Sequence, residues 1–271
     1  MAEPAREEIQ AKNRTAPPSR EVYEAIREEA LEELGRPSSA LFWSALAAGL
    51  SMGLSLIAEG VLRAHLPDAP WMPLVTKLGY PAGFLAVILG RQQLFTENTV
   101  KPILPLMNRG TPTVIKDVAR LWAVVLVGNL IGAALVATYI SLTASFEPYI
   151  QMSFAEIGRE AMRDSFSGHL LSGVIAGWMI ALMVWLLPYA ESARFWVVLF
   201  MAYFVGLGGL SHVIAGSVEV FVLAATGEQS WLNALFAFTL PTFLGNALGG
   251  VTLVAALNHA QVVSGEDGSR R

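Results

Sequence analysis

The sequence contains no cysteine, which excludes disulfides, thiolate metal sites and cysteine nucleophiles. It is also poor in charge, because 15% of its 271 residues are charged and 54% are hydrophobic, with a mean hydropathy of +0.51. A soluble domain of this length would need more charged residues to cover its surface. The net charge of −4 is small, so no nucleic-acid partner is predicted. The expected surroundings of this chain are a lipid bilayer.

Six apolar stretches follow a polar N-terminal segment. Each stretch is close to the roughly 20 residues that cross a bilayer. The N-terminal segment lacks the apolar core of a signal peptide. They cover about 39–62, from 78 onward, 119–143, 166–188, from 195 onward, and 231–257. Polar or glycine-rich residues interrupt the second stretch after Gly90 and the fifth at 206–212. The sequence therefore predicts an all-α membrane protein with an N-terminal segment (1–37), a six-span domain (38–257) and a C-terminal tail (258–271).

The distribution of basic residues predicts the orientation. Connections on the side of the termini carry most of the lysine and arginine, and the other side holds only Arg63, Lys77, Arg159 and Arg163. The positive-inside rule then places both termini in the cytoplasm. Residues 19–34 have one apolar stripe and are predicted to form an amphipathic helix on the membrane surface or against a neighbouring subunit. A solvated polar helix is the alternative, and a second surface helix is expected from Ser153.

An internal repeat relates the two halves of the chain. Gly-Asn-Leu-Ile-Gly at 128–132 recurs as Gly-Asn-Ala-Leu-Gly at 245–249. Thr96 precedes Asn129 by 33 residues, and His212 precedes Asn246 by 34. Each half thus has an intact, an interrupted and a Gly-Asn span, and an odd number of spans turns the second copy upside down. This pattern predicts a 3+3 inverted repeat, with the site near the midplane at the two interruptions.

The interruptions themselves need a physical explanation. Non-helical backbone at membrane depth is tolerated only where protein buries it or where it lines a cavity. Helix ends directed at such a point would present N–H groups and positive dipole ends, which favour an anion. Asn129 and Asn246 are expected either to hydrogen-bond the backbone of the interruptions or to act as polar contacts between closely packed helices.

Residues 94–99 read Leu-Phe-Thr-Glu-Asn-Thr, and residues 210–215 read Leu-Ser-His-Val-Ile-Ala. With the two Gly-Asn signatures, these segments resemble the two loops of the formate/nitrite transporter family, and the resemblance covers roughly 38–257. It implies an aquaporin-like fold with helices 2 and 5 interrupted. It also implies a homopentamer in a bacterial inner membrane, with one pore per subunit for small monovalent anions such as formate or nitrite.

The resemblance assigns Leu94 and Phe95 to an apolar constriction, Thr96 to the loop threonine and His212 to the central histidine, with Asn98 as the loop asparagine. Several positions depart from the family pattern. Gln92-Gln93 replace Ser-Glu, Glu97 replaces a glycine, Ser211 replaces a glutamate beside the histidine, and Gly216 replaces an asparagine. These changes leave the substrate open and indicate a divergent branch of the family.

The individual polar residues have alternative roles. His212 is expected to donate a hydrogen bond or a proton to a weak-acid anion, together with Thr96, and the alternative is a core histidine that holds the broken helix together. Arg91 either draws anions to the filter or pairs with Glu97 or Glu219, and the pairing is favoured. Glu219 is expected to contact the first loop or to line a vestibule.

The sequence contains no motif that would favour an enzyme over a pore. It has no zinc-protease motif, no clustered metal ligands in the spans and no acid that would orient His212 beside Ser211. We predict no enzymatic activity, no metal and no cofactor. The predicted function is a channel or transporter for small monovalent anions of weak acids. The alternatives are a non-transporting or regulatory membrane protein on the same scaffold, and a neutral-solute pore, although the Asn-Pro-Ala motif of that class is absent.

Overall fold

The computed structural model describes residues 18–108 and 110–261, apart from the side chains of residues 253 and 254. Most of the predicted N-terminal segment before the first helix, and residues 262–271 of the predicted tail, lie outside the described residues. Within the described ranges the regular structure is helical. The helices are α1 (Ser19–Gly35), α2 (Ser38–His65), α3 (Met72–Leu89), α4 (Ile103–Asn108), α5 (Pro112–Leu142), α6 (Pro148–Ala161), α7 (Phe166–Leu186), α8 (Arg194–Leu207), α9 (Val213–Ala225) and α10 (Trp231–Gln261).

Five of these segments are long and apolar enough to cross a membrane: α2, α3, α5, α10, and α7 with the short turn that follows it. This confirms the all-α membrane class. The predicted fifth span corresponds to two shorter helices, α8 with 14 residues and α9 with 13. At 1.5 Å per residue, neither would cross a hydrocarbon core of roughly 30 Å alone.

The bundle has two distinct ends, because α2 runs from one to the other. At the start of α2, Arg120 donates to Ser38 and to the Leu34 carbonyl of α1, and we call this the α1 end. At the other end of α2, Arg63 contacts Glu160 of α6, and we call this the α6 end.

The structure adds to one expectation about the surface helices and corrects another. The apolar stripe of α1 packs on the chain's own α4, α5 and the turn that follows α7, and a place for this helix at the membrane surface or against a neighbouring subunit stays a prediction. Tyr23 of this stripe accepts a hydrogen bond from Asn108 at 2.7 Å. Helix α6 begins at Pro148 and not at Ser153, whose hydroxyl donates to the Tyr149 carbonyl within the helix.

Two tight helix pairs carry the Gly-Asn signatures. Helix α2 packs along α5, and α7 packs along α10. A Cβ added at Gly49 would overlap the backbone carbonyl of Asn129, and one added at Gly177 would overlap the backbone of Asn246. Small residues therefore allow the backbones to approach at the level of both asparagines, as is common in membrane helix pairs.

Gly49→Val is expected to destabilise the protein by about 3 kcal/mol or more, because the added atoms meet backbone, which cannot move aside as a side chain can. Thermal unfolding in detergent measures the effect. Gly35→Ala is the matched control, since a Cβ at Gly35 has no neighbour within 4 Å. Equal melting temperatures for the two variants would contradict this account of the α2–α5 contact.

Candidate functional site

The first interruption follows α3. Arg91 has a φ of 50°, in the left-handed region, and this residue turns the chain out of the helix. The following segment is held by its own side chains: Asn98 donates to Gln93 Oε1 at 2.9 Å and to the Leu94 carbonyl at 3.0 Å. Thr99 donates to the Thr96 carbonyl at 2.7 Å. These bonds satisfy polar groups that a helix would otherwise pair internally.

The second interruption separates α8 from α9. Gly209 has a φ of 60°, which glycine adopts without steric cost, and it ends α8. Helix α9 then begins at Val213, with His212 as its capping residue. The His212 Nδ1 atom accepts a hydrogen bond from the Ala215 N–H at 3.2 Å. The histidine is therefore fixed at the N-terminal, electropositive end of α9.

The two signature asparagines bind the two interruptions in the same way. Asn129 accepts from the Phe95 N–H at 2.9 Å and donates to the carbonyls of Gln93 and Ala45, both at 2.8 Å. Asn246 accepts from the Val213 N–H at 2.8 Å. It donates to the carbonyls of Ser211 at 2.9 Å and Gly173 at 2.8 Å. Each asparagine thus bridges an interruption to an intact helix, and both side chains are fully buried.

Thr96 and His212 meet directly where the two interruptions face each other. The Thr96 Oγ1 atom lies 2.9 Å from His212 Nε2, and the two residues are 0% and 1% exposed. Because Nδ1 accepts from a backbone N–H, a neutral imidazole carries its proton on Nε2 and donates it to Thr96. The threonine hydroxyl then keeps its own proton available for a further acceptor.

Apolar rings and side chains enclose this contact. The Phe84 ring lies edge-on to the His212 ring, with centroids 4.9 Å apart. Leu94 and Phe95 are fully buried, and the Phe95 ring packs 5.1 Å from Phe243. An unneutralised charge in such surroundings is costly.

Two cavities lie on the two sides of the contact. The α6-end cavity has a volume of 190 Å³ and includes His212, Glu219, Lys77 and Tyr80 in its lining. The α1-end cavity has a volume of 160 Å³ and is lined by residues of α1 and of the first interruption, among them Glu97. Leu94, Phe95 and Thr96 line neither cavity. Packed side chains therefore separate the two cavities at the level of the Thr96–His212 contact.

Ser211 lines the α6-end cavity and belongs to a second polar cluster. Its hydroxyl accepts from Ser172 at 2.8 Å and lies 3.2 Å from His169 Nδ1. No pattern in the sequence indicated that His169 or Ser172 would lie near Ser211. Lys77 entered only the prediction of orientation, because it precedes the second apolar stretch and no spacing linked it to the site.

The expected ion pairs of this region are wrong. Arg91 is exposed, lines the α1-end cavity and forms no ion pair with Glu97 or Glu219 among the described residues. Glu97 instead lies 3.9 Å from Lys101, which also pairs with Glu29 at 3.2 Å. Glu219 cannot reach Arg91, because Glu219 lies in the α6-end cavity and Arg91 lines the other one. Of the two positions expected for Glu219, contact with the first loop or the lining of a vestibule, this position agrees with the second.

The four-residue spacing of Glu59 and Arg63 predicts a local ion pair on α2, and the structure contradicts that prediction. Glu59 forms its ion pair with Lys77. Arg63 forms two hydrogen bonds with Glu160, at 2.8 and 2.9 Å. Tertiary packing brings α3 and α6 against the end of α2 and so offers both residues partners that are distant in sequence.

An apolar helical bundle with two interrupted helices that meet at a buried Thr–His contact defines a membrane protein of the transporter or channel class. The model of the formate/nitrite transporter family matches residues 20–260, so the chain belongs to that family. Family members are transporters and channels, which agrees with the predicted absence of enzymatic function.

Among its relatives, the chain is similar to the inner membrane protein YfdC of Escherichia coli (strain K12). The two are 40% identical over 241 residues, which cover 89% of this chain and 78% of that protein. This likeness confirms the predicted divergent branch of the family.

Two solved structures share the fold at 20% identity. One is an FNT family ion channel, with a TM-score of 0.75 over 89% of this chain and 98% of that chain. The other is a pentameric formate channel with formate bound, with a TM-score of 0.72 over 83% of this chain and 98% of that chain.

Proposed function

We propose that the protein is a channel or transporter for small monovalent anions of weak acids, with Thr96 and His212 as the polar centre of its pore. Membership of the formate/nitrite transporter family supports an anion as the substrate. We further propose an aquaporin-like inverted 3+3 repeat, in which α8 and α9 together form the fifth of six spans. The matching hydrogen bonds of Asn129 and Asn246 support the repeat.

The proposed setting is a bacterial inner membrane, with both termini in the cytoplasm. The likeness to YfdC, which is named as an inner membrane protein, supports this location, and the basic residues support the orientation. A homopentamer is proposed from the pentameric formate channel of the same fold. In this arrangement the α1 end faces the cytoplasm and the α6 end faces the periplasm.

The hydrogen bond between Thr96 and His212 is the observation that carries the proposal. An anion that enters between the two side chains would accept hydrogen bonds from His212 Nε2–H and the Thr96 hydroxyl. It would also lie at the positive end of the α9 dipole. The surrounding Phe84, Leu94 and Phe95 offer no polar contact to a bare ion, so the substrate crosses this layer as its neutral acid.

Flux in proteoliposomes tests the proposal. The wild type is expected to pass at least one of formate, nitrite, hydrosulfide and acetate faster than empty liposomes do. If none of the four is passed, the proposed function is wrong and the non-transporting alternative gains support. Glycerol or water permeation that is independent of pH would instead favour a neutral-solute pore.

Thr96→Val is expected to lower anion flux by about 10-fold, because valine has nearly the same shape but loses a hydrogen bond to a charged substrate worth roughly 1.5 kcal/mol. The same flux assay measures the change. Thr96→Ser restores the hydroxyl and is the matched control, expected to retain most of the wild-type rate. Equal rates for the valine and serine variants would show that the hydroxyl has no part in transport.

A further inference from the structure

The α6-end cavity contains a carboxylate that the Thr96–His212 contact does not use. Glu219 follows His212 and Gly216 on the face of α9 that lines this cavity. Its side chain is directed into a protein-lined space, and the residue is only 9% exposed. Among the described residues, no side chain forms a hydrogen bond or an ion pair with the Glu219 carboxylate.

The charges around Glu219 are already committed to other partners. Helices α2 and α3 contribute Glu59 and Lys77, which are paired with each other. Helix α6 contributes Glu160, which is paired with Arg63 at 2.8 Å. Burial alone would raise the pKa of Glu160, but the hydrogen bonds from Arg63 hold that pKa below its usual value. The remaining titratable groups lining the cavity are Tyr80, Asp164 and His212.

Asp164 is exposed to solvent, so among the described residues that line this cavity an ionised Glu219 would be the buried carboxylate without a paired base. Lys77 also lines the cavity, but it is paired with Glu59 and cannot neutralise both carboxylates. An uncompensated buried carboxylate costs several kcal/mol, and binding a proton removes that cost. An ionised Glu219 would also repel an incoming anion, whereas a protonated carboxyl would donate a hydrogen bond to it.

His212 is a poor source of the proton that a weak-acid anion needs to cross as its neutral acid. Its ring accepts a hydrogen bond at Nδ1, so a neutral imidazole has a single proton, on Nε2. Loss of that proton would leave an imidazolate in an apolar enclosure. The proton therefore has to come from another group, and Glu219 lies in the same cavity as His212.

We propose that Glu219 is the proton donor of the pore: through the α6-end cavity, which His212 also lines, it supplies the proton that converts an anion bound at the Thr96–His212 contact to its neutral acid. The O–H bond of the Glu219 carboxyl breaks, and an O–H bond forms on the substrate. Glu219 is then reprotonated from the solution at the α6 end, and the neutral acid releases its proton beyond the α1-end cavity. One proton thus moves with each anion and no net charge is transferred. This inference rests on the proposed function.

Coupled measurements of formate uptake and internal pH in proteoliposomes test the inference. The wild type is expected to acidify the lumen by one proton per formate, at a rate that increases as the external pH falls. Glu219→Gln, which cannot donate its proton, is expected to lower the rate of proton-coupled uptake by at least about 10-fold and to flatten its pH dependence. Glu219→Asp should retain part of both. Glu228→Gln is the control, because Glu228 lies outside the cavity and pairs with Arg159.

The possible results separate the inference from the proposed function. If the wild type passes formate and Glu219→Gln keeps its rate and pH profile, the inference is wrong and the proposed function stands. If the wild type passes none of the four anions, the proposed function fails and the inference fails with it. Infrared spectroscopy provides a readout that does not need the glutamine variant. The wild type should show the carbonyl stretch of a protonated carboxyl at neutral pH, shifted in Glu219→Asp, and absence of that band would overturn the inference.

Discussion

His212→Phe is expected to lower anion flux by about 100-fold, the largest effect predicted for transport. Phenylalanine has a similar volume but removes the Nε2–H donor and leaves Thr96 without its partner 2.9 Å away. A hydrogen bond to a charged group contributes up to about 3 kcal/mol, and 1.4 kcal/mol corresponds to a factor of about ten in rate. The measurement is uptake of the anion that the wild type passes most rapidly.

Two further variants make this result specific. His212→Gln keeps an N–H donor near the position of Nε2 and is expected to retain more flux than the phenylalanine variant. His65→Phe replaces an exposed histidine at the end of α2, away from the contact, and should leave flux unchanged. If His212→Phe transports as fast as the wild type, His212 has only the structural role that was its alternative.

Asn246→Ala is expected to lower the free energy of unfolding by about 4 kcal/mol. The substitution removes three hydrogen bonds and leaves one backbone N–H and two carbonyls buried without partners, at about 1–3 kcal/mol each. Water cannot replace the lost side chain at this depth without entering the helix pair. A melting temperature lower by about 10 °C is expected for a chain of this length.

The matched control is Asn233→Ala, on the same helix. Asn233 is exposed, and its side chain donates to Gln229 on the surface, so its loss should shift the melting temperature little. Asn129→Ala should be as destabilising as Asn246→Ala, because its three hydrogen bonds match those of Asn246. A tolerated alanine at position 246 would contradict the role of the asparagines as the bonds that hold the interruptions.

The repeat shows how far sequence reasoning reached towards the site. The near-equal spacings from Thr96 to Asn129 and from His212 to Asn246, 33 and 34 residues, identify the two interruptions as counterparts from the sequence alone. This was possible because the length of an apolar stretch, and the point at which polar residues interrupt it, can be read directly along the sequence. Whether the asparagines bind the loop backbone or serve only in helix packing was left open. The structure contains both features: hydrogen bonds to the loops, and close backbone contacts at Gly49 and Gly177.

The charged residues were less predictable. The pairing of Glu59 with Arg63 was expected from their four-residue spacing, which places side chains together on an isolated helix. In the bundle, Lys77 and Glu160 approach the same end of α2 and displace that local pair. Arg91 was expected to need a partner at membrane depth. It lies instead at the edge of a cavity, because the chain leaves the helix at that residue.

By itself, the sequence determined the membrane class, the interruption of two helices, the family and the residues Thr96 and His212. Each of these depends on local composition or on spacing along the chain. Only the tertiary structure decided that the Thr96 hydroxyl lies against His212 Nε2 and that Asn129 and Asn246 make matching bonds. It also placed Glu219 in the cavity that His212 lines, with no ion-pair partner among the described residues. Those facts depend on which distant segments meet in space, and hydrophobic patterning leaves the orientation and partners of individual polar side chains undetermined.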